Sequence, residues 1–188
     1  MIIANTSKIY PNVKLGKNII IEDFCIIGIP FKGFTNEPTI IGDNSIIRSH
    51  TVIYAGNIIG NNFQTGNKAN IRELNLIGDN VSIGTLTVVE HNTRIGNNVR
   101  IHSQAFIPEY TILEDNSWIG PNVVITNARY PKSPNVKYEL KGVRVKSNTK
   151  IGANSTILPG LTIGCNSLVG AGSVVTKDIK DGVIAAGN

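Results

Sequence analysis

Aromatic side chains are scarce in this 188-residue chain, which has five Phe, five Tyr and one Trp. With few large rings, the core is predicted to be filled by stacked aliphatic side chains. No run of 18 apolar residues is present, which argues against a membrane-spanning helix. The N-terminus also lacks the basic segment and long apolar run of a secretory signal. The sequence therefore predicts a soluble, cytoplasmic protein with no membrane partner.

Cysteine is equally scarce. Cys25 and Cys165 are the only two and form no C-x-x-C pair, so both are predicted to be free thiols in a reducing compartment. Basic runs with interleaved aromatics are absent, which argues against a nucleic-acid partner. The net charge of +5 nevertheless favours an anionic ligand, such as a phosphorylated cofactor or a nucleotide sugar.

The dominant feature of the sequence is a repeat of six residues. Aliphatic residues recur every six positions over Ile9–Ile27, Ile41–Ile125 and Val145–Val175, with Thr65 as the one exception. The residue two positions earlier is mostly small and shares the same side of a strand. Neither a helix nor a simply alternating strand has this period. A short strand followed by a turn fits it, which predicts a coil with three strands per rung.

A longer period of 18 residues supports this interpretation. Asparagine recurs at that spacing and tolerates the left-handed backbone conformation, which predicts one corner built as an asparagine ladder. Two segments, 33–40 and 131–144, interrupt the count and are predicted to be insertions, the second a protruding loop. We expect a single all-β domain over residues 1–188, with about eight rungs. The predicted ladder comprises Asn44, Asn62, Asn80, Asn98, Asn116, Asn148 and Asn166.

The repeated motif [LIV]-G-x-x-[STAV]-x resembles that of the hexapeptide-repeat acyltransferases over nearly the whole chain. Ile151–Gly164 and Val169–Ile179 look like the coenzyme A-binding coils of that family. Trp118–Pro131 is similar to the subgroup that acetylates amino sugars carried on UDP or dTDP. The resemblance implies a left-handed parallel β-helix, a homotrimer with sites in the clefts between subunits, and acetyl-CoA as co-substrate.

One corner of the predicted coil carries the candidate catalytic residues. The 18-residue frame places Glu73, His91 and Glu109 on consecutive rungs, about 4.8 Å apart. A carboxylate beside an imidazole fixes its tautomer, and acyl transfer needs a base. The segment Val88–His91 also resembles the V-I-E-H segment that carries the base in acetyltransferases acting on UDP-linked 4-amino sugars. His91 is therefore predicted to be the general base. The alternative is a histidine on a solvated corner, with an amine acceptor that loses its proton unaided; His102 and His50 are weaker candidates.

The predicted cofactor residues occupy two corners. Ala153 and Ala171 lie one rung apart, where small side chains leave backbone amides open to a ligand. The resemblance places Thr176 and Lys177 near the adenosine end of coenzyme A, and Asn127 on the histidine's corner joins the set. Lys177 lies about 19 Å from His91, close to the length of a pantetheine arm with its diphosphate. Four basic residues of the second insertion are also candidates to reach a phosphate: Lys132, Lys137, Lys141 and Arg144.

The function predicted from these features is transfer of an acetyl group from acetyl-CoA to an amino group, or a hydroxyl, of a sugar. A UDP- or dTDP-linked sugar in surface-polysaccharide precursor synthesis is expected, with a sugar O-acetyltransferase as the alternative. A γ-class carbonic anhydrase needs three zinc-binding histidines, two of them close in sequence, and His50, His91 and His102 do not fit. A non-enzymatic scaffold would have no reason to place Glu, His and Glu on consecutive rungs. No metal is expected.

Overall fold

The computed structural model describes residues 1–188 as a left-handed parallel β-helix, which confirms the predicted fold class. Very short strands stack into three flat parallel sheets of ten, nine and eight strands, which form the three faces of a prism. The prediction of about eight rungs was wrong, because the coil makes about ten turns. The additional pairings come from the chain ends, where Ile2–Ile3 continues the six-residue phase and Ile184–Ala185 pairs as a strand outside it.

Each face collects every third strand of the chain. The first face contains Ile2–Ile3, Ile20–Ile21, Ile46–Ile47, Gln64–Thr65, Ser82–Ile83, Arg100–Ile101, Trp118–Ile119, Lys150–Ile151, Leu168–Val169 and Ile184–Ala185. The second face contains Lys8–Ile9, Ile26–Ile29, Val52–Tyr54, Asn70–Ile71, Val88–Val89, Phe106–Ile107, Val124–Ile125, Thr156–Ile157 and Val174–Val175. The third face contains Val13–Leu15, Thr39–Ile41, Ile58–Ile59, Leu76–Ile77, Arg94–Ile95, Ile112–Leu113, Arg144–Val145 and Thr162–Ile163.

The aliphatic repeat forms the core. In the regular rungs each strand pairs with the strand 18 residues further on, as Ile71 does with Val89, so identical positions stack from rung to rung. The second residue of most strands points inward, and the buried side chains form one continuous cluster of 32 residues. Phe63 is the largest fully buried side chain, and the rest of the cluster is almost entirely Ile, Val, Leu and Ala. The core is therefore a stack of aliphatic layers, as predicted.

The asparagine ladder is present. The predicted asparagines all have positive φ angles, between 55° and 61°. The side-chain amide of Asn62 donates to Asn80 Oδ1 at 2.9 Å, and Asn80 donates to Asn98 Oδ1 at 3.1 Å. The same bond joins Asn148 to Asn166 at 3.0 Å, beyond the second insertion.

Both insertions leave and rejoin an otherwise intact coil, with boundaries that differ slightly from those predicted. The first lies between the strands Ile26–Ile29 and Thr39–Ile41, so Ile40 belongs to a strand. The second contains a short 3₁₀ helix, Val136–Tyr138, and ends before Arg144, which is also in a strand. No helix in the structure is long and apolar enough to cross a membrane.

Candidate active site

Three edges join the faces, and two of them carry the predicted site residues. The histidine edge lies between the second and third faces and comprises residues 72–74, 90–92, 108–110, 126–128, 158–160 and 176–178. The alanine edge lies between the first and second faces and comprises residues 66–68, 84–86, 102–104, 120–122, 152–154 and 170–172. The asparagine edge lies between the third and first faces.

His91 sits partly exposed in the middle of the histidine edge. Its Nε2 lies 3.6 Å from Glu109 Oε1 on the next rung, within ion-pair range. Its Nδ1 lies 2.9 Å from the side-chain amide nitrogen of Asn92. The carboxylate favours a proton on Nε2, which leaves Nδ1 unprotonated, and its electron pair accepts the hydrogen bond from the Asn92 amide. Tyr110 packs edge-on against the imidazole, with ring centroids 6.2 Å apart.

Glu73 is on the expected rung but does not face His91. Arg72 holds its carboxylate through two hydrogen bonds, from Nε to Oε2 at 2.9 Å and from Nη2 to Oε1 at 3.1 Å. Glu73 therefore lies one rung from His91, as predicted, but its carboxylate is engaged by Arg72 and not by the imidazole. The cause is that the adjacent guanidinium offers two donors to the carboxylate at once, which a single imidazole nitrogen cannot match.

Sequence reasoning missed Arg72 and Glu90. Arg72 Nη1 also reaches Glu90 Oε2 at 3.5 Å, and its guanidinium lies over the ring of Tyr54. Burial raises the pKa of Glu90, although the positive charge of Arg72 opposes the shift. The signal was present in the 18-residue spacing, which stacks Glu90 directly above Arg72.

Asn127 continues this polar row towards the second insertion. Its side-chain amide donates to Glu109 Oε2 at 2.7 Å, so one Glu109 oxygen is occupied by Asn127 and the other faces His91. The backbone carbonyl of Asn127 accepts from the amide of Lys141 at 2.9 Å, where the loop returns to the coil. The structure thus brings together three predicted site residues: His91, Glu109 and Asn127.

The remaining cofactor candidates are divided between the two edges. Thr176 and Lys177 are exposed on the histidine edge and line a cavity of about 580 Å³. The pairing of strands on the second face places Lys177 four rungs from His91, about 19 Å. Ala153 and Ala171 lie on consecutive rungs of the alanine edge, across the second face. Within one chain the two sets do not meet.

The four basic residues of the second insertion lie in different places and do not form one cluster. Lys141, together with Arg129, lines a cavity of about 740 Å³ that Pro159 and Asp178 border, beside the end of the histidine edge that carries Lys177. Arg144 instead binds Glu114 through Nε at 2.7 Å, on the asparagine edge, so it does not point towards this cavity. Lys132 and Lys137 do not line the cavity.

The other histidines lie apart from His91. His50 stacks on Phe24, with ring centroids 5.0 Å apart. His102 is on the alanine edge, where its ring packs against Trp118 at 4.6 Å and Arg100 Nε lies 3.0 Å from its Nε2. No group of three His, Cys, Asp or Glu side chains is arranged to hold a metal ion. Cys25 and Cys165 are free thiols.

Comparison with known proteins adds to this geometry. The bacterial transferase hexapeptide family (six repeats) matches residues 76–109 and 142–177. These two segments are therefore similar to the hexapeptide repeats of that family. A galactoside O-acetyltransferase of Lactococcus lactis is 46% identical over 71 residues, which are 36% of this chain and 34% of the relative. The galactoside O-acetyltransferase of Escherichia coli is 41% identical over 75 residues, 36% of this chain and 35% of the relative. The matched part thus spans about a third of each relative.

Solved structures agree on the fold. A maltose O-acetyltransferase from Clostridium difficile 630 has a TM-score of 0.51 and 31% identity, covering 57% of this chain and 62% of that chain. The polySia-specific acetyltransferase NeuO superposes with a TM-score of 0.58 over 98% of this chain and 84% of its own. At 17% identity, the second likeness shows the fold alone.

Proposed function

We propose that this hexapeptide-repeat protein is a coenzyme A-dependent acetyltransferase that acts on a sugar. The observation that carries the proposal is the arrangement of the histidine edge. An imidazole beside a carboxylate lies four rungs from an exposed lysine, with partly open cavities along the same edge. The relatives that match part of this chain are named as galactoside and maltose O-acetyltransferases, which supports the same chemistry.

In the proposed reaction, the amino or hydroxyl group of the acceptor attacks the thioester carbonyl of acetyl-CoA. His91 takes the acceptor's proton as the new bond to the carbonyl carbon forms. The carbon–sulfur bond then breaks, and coenzyme A leaves as a thiolate that receives the proton from the imidazolium. Glu109 orients the imidazole and stabilises its charged form, while Asn127 holds Glu109 in place.

Acetyl-CoA is proposed to extend along the histidine edge, with its thioester near His91 and its phosphates near Lys177. Thr176 lines the same cavity as Lys177 and offers a hydroxyl. Ala153 and Ala171, on the alanine edge, are proposed to present open backbone to a cofactor bound between copies. This requires an assembly, and we propose a homotrimer that works in the cytoplasm.

Two versions of the proposal differ in the acceptor. In the first, which the resemblance of Trp118–Pro131 favours, the acceptor is an amino sugar carried on UDP or dTDP. That version fits the synthesis of surface-polysaccharide precursors. The names of the matching relatives favour instead a sugar O-acetyltransferase, whose acceptor is a hydroxyl. Both versions use the same base and the same cofactor, so they differ only in the group that attacks.

A thiol-release assay with acetyl-CoA tests the function. Coenzyme A release is measured over a panel of UDP- and dTDP-amino sugars, together with galactosides and maltose as hydroxyl acceptors. Acceptor-dependent release with an amino sugar supports the first version, and release with the hydroxyl acceptors alone supports the second. The absence of release with every acceptor in the panel would count against an acetyltransferase and in favour of a scaffold.

A further inference from the structure

We infer that Glu90 binds the amino group of the acceptor and takes its first proton, which makes the site specific for an amino sugar. The inference rests on the function proposed above and decides between its two versions in favour of the amine. It adds a second group to the chemistry of His91, because an amine that arrives as an ammonium ion must lose two protons to become an amide.

The acceptor is expected on the side of His91 that faces away from Lys177. Acetyl-CoA is proposed to cover the rungs between His91 and Lys177, which follow the histidine in the chain. The rungs that precede it carry Arg72 and Glu90, on the side of the second face. The first insertion leaves the coil on this same edge, three rungs before His91. A window of about 14 Å therefore lies between the insertion and the histidine.

The histidine edge carries side chains where the other edges have little room for them. Over residues 54–126, glycine follows the inward aliphatic residue on most rungs of the alanine and asparagine edges, but on no rung of the histidine edge. A Cβ at Gly84 would collide with the backbone of Ser103 on the next rung, so this position normally excludes a side chain. Arg72 and Glu90 occupy the equivalent position beside His91. Packing of the coil does not require two charged side chains there, whereas a bound ligand would explain them.

Glu90 is the one carboxylate of this group that lacks a close partner. Arg72 holds Glu73 at two points, and Asn127 holds one oxygen of Glu109. The carboxylate of Glu90 has a single hydrogen-bond contact, to Arg72 Nη1 at 3.5 Å, although its side chain is only 20% exposed. A partly buried carboxylate with incomplete hydrogen bonding is stabilised by a cationic donor.

The local charge favours a cation at this point. The chain as a whole has a net charge of +5, yet three carboxylates lie within one rung of His91 and only Arg72 opposes them on this edge. An anion would be repelled here, whereas the ammonium group of an amino sugar is attracted. A hydroxyl acceptor would gain nothing from the excess of negative charge. The site is therefore complementary to an amine.

The surroundings of Glu90 also suit proton transfer. Burial raises the pKa of its carboxyl, and the negative charges of Glu109 and Glu73 add to the shift. The positive charge of Arg72, and that of His91 when it is protonated, oppose the shift. A raised pKa brings the carboxyl closer to the ammonium group, so proton transfer between the two costs less free energy.

The proposed reaction uses Glu90 and His91 in turn. The Glu90 carboxylate takes one proton from the bound ammonium group, which leaves a neutral amine with a free electron pair. The amine nitrogen attacks the thioester carbonyl carbon, and His91 takes the second proton as the carbon–nitrogen bond forms. The carbon–sulfur bond breaks, and the imidazolium protonates the coenzyme A thiolate. Glu90 then releases its proton to water, which its partly exposed side chain allows.

The pH dependence of a Glu90→Gln variant tests this role. At neutral pH the variant should lose about 10- to 100-fold in kcat/KM for its best amino-sugar acceptor, because the amine stays protonated. The loss should shrink to a few-fold above about pH 9, where an amine that titrates near pH 8 is already neutral. Glu114→Gln makes the same change on the asparagine edge and should leave kcat/KM unchanged at both pH values. A loss that is equal at both pH values, or no loss at neutral pH, would overturn the inference.

Acceptor affinity gives a second measurement that does not depend on turnover. Titration calorimetry in the presence of coenzyme A compares a nucleotide-linked amino sugar with the sugar that carries a hydroxyl in place of the amine. The parent should bind the amino sugar at least about fivefold more tightly at neutral pH. Glu90→Gln should bind both sugars with similar affinity. Equal affinities for the parent, or a preference that survives in the variant, would overturn the inference.

The thiol-release panel separates failure of the inference from failure of the proposed function. If the parent releases coenzyme A with galactosides or maltose and not with amino sugars, the acetyltransferase stands and the role of Glu90 is wrong. If no acceptor produces release, both fail. Release with an amino sugar that falls in Glu90→Gln and recovers at high pH supports both.

Discussion

The three carboxylates of the histidine edge nearest His91, those of Glu73, Glu90 and Glu109, have three different environments, and these decide which of them acts on His91. Arg72 binds Glu73 at two points, and Glu90 is partly buried with only a longer contact to the same guanidinium. Glu109 alone has an oxygen facing the imidazole, while Asn127 fixes the other. The acid that supports the base is therefore Glu109.

Glu109→Gln should lower kcat for acetyl transfer by about 10- to 100-fold, because the imidazolium loses the carboxylate that orients and stabilises it. Glu73→Gln is the matched control, since it makes the same change one rung on the other side of His91. It should leave kcat within a few-fold of the parent, because its carboxylate serves Arg72. Steady-state kinetics on all three proteins decide this, and equal losses for the two variants would contradict the assignment.

Lys177→Glu should weaken acetyl-CoA binding by about 1–3 kcal/mol, because a charge-assisted contact to a phosphate becomes a repulsion. Folding should be unaffected, because the side chain is exposed. Lys14→Glu makes the same charge change on an exposed position far down the coil and should leave the affinity unchanged. Titration calorimetry with acetyl-CoA measures both, and an unchanged dissociation constant for Lys177→Glu would exclude Lys177 as an anchor.

The residues that the sequence located correctly are those that the repeat alone controls. His91, Glu109 and Asn127 share an edge because 18 residues make one rung, so their proximity follows from counting. The pairing of Arg72 with Glu73 does not follow, because adjacent side chains at a corner meet only in particular rotamers.

At the scale of the strands and turns, the asparagine edge combines a backbone role with a side-chain role. Asn80 has a φ of 58° and both accepts and donates an amide hydrogen bond within the ladder. Asn80→Ala should destabilise the protein by about 1–2 kcal/mol, because a Cβ without a local hydrogen bond is strained in this conformation. Asn80→Gly loses the same amide but relieves the strain, so it should cost less.

Chemical denaturation of the Asn80 variants measures the difference, provided that both unfold in one step. A larger loss for Asn80→Gly than for Asn80→Ala would show that the backbone conformation is not what asparagine supplies at this position. The asparagine edge itself was predictable from the sequence, because the 18-residue spacing of asparagine alone identifies it.

The same set of hydrogen bonds joins the two ends of each insertion: a glutamate on one side accepts from an arginine and a serine on the other. Glu22 accepts from Arg48 and from the backbone and hydroxyl of Ser49, across the first insertion. Glu114 accepts from Arg144 and from the backbone and hydroxyl of Ser147, across the second. Hydrogen bonds from Arg48 lower the pKa of Glu22. Burial raises the pKa of Glu114, but the bonds from Arg144 and Ser147 outweigh it and the net shift is downward.

A carboxyl whose pKa is lowered by folding stabilises the folded state above its unfolded pKa, and this stabilisation is lost as the pH falls through the folded value. Glu114→Gln should therefore reduce the free energy of unfolding at neutral pH by about 1 kcal/mol or less, since the pair is partly exposed. The difference from the parent should shrink as the pH falls below the ordinary glutamate pKa of about 4.3 and vanish only below the lowered pKa of folded Glu114. Thermal unfolding of both proteins across this pH range checks the prediction. A stability difference that grows as the pH falls would show that folding raises the pKa of Glu114 instead of lowering it.

The boundaries of these insertions were the least predictable elements. The six-residue count stops and restarts, but it does not say where the last strand ends, so Ile40 and Arg144 were assigned to loops although both lie in strands.

The terminal rungs were missed for a related reason. Ile3 lies six residues before Ile9 and continues the repeat, but the predicted count began at Ile9; Ile184–Ala185 falls outside the repeat, and its pairing with the adjacent rung shows it as a strand.

At the scale of the whole molecule, the regular stacking of the rungs fixes the distances between residues along the coil. Strand pairing on one face fixes His91 and Lys177 four rungs apart, and the core between them is continuous. A substitution at one end of this distance should therefore leave the other end undisturbed. The proposed chemistry and the proposed cofactor anchoring are separable in the same protein.

The most direct test of the account compares the parent protein with His91→Asn on its best acceptor and measures the acetyl-CoA dissociation constant of both. The account predicts that kcat falls by about 10²- to 10⁴-fold, because the general base is lost. It also predicts that coenzyme A affinity changes little, since the anchoring residues lie about 19 Å away. Near-equal kcat values for the two proteins would contradict the role of His91 and would show that the acceptor loses its proton without the enzyme's help.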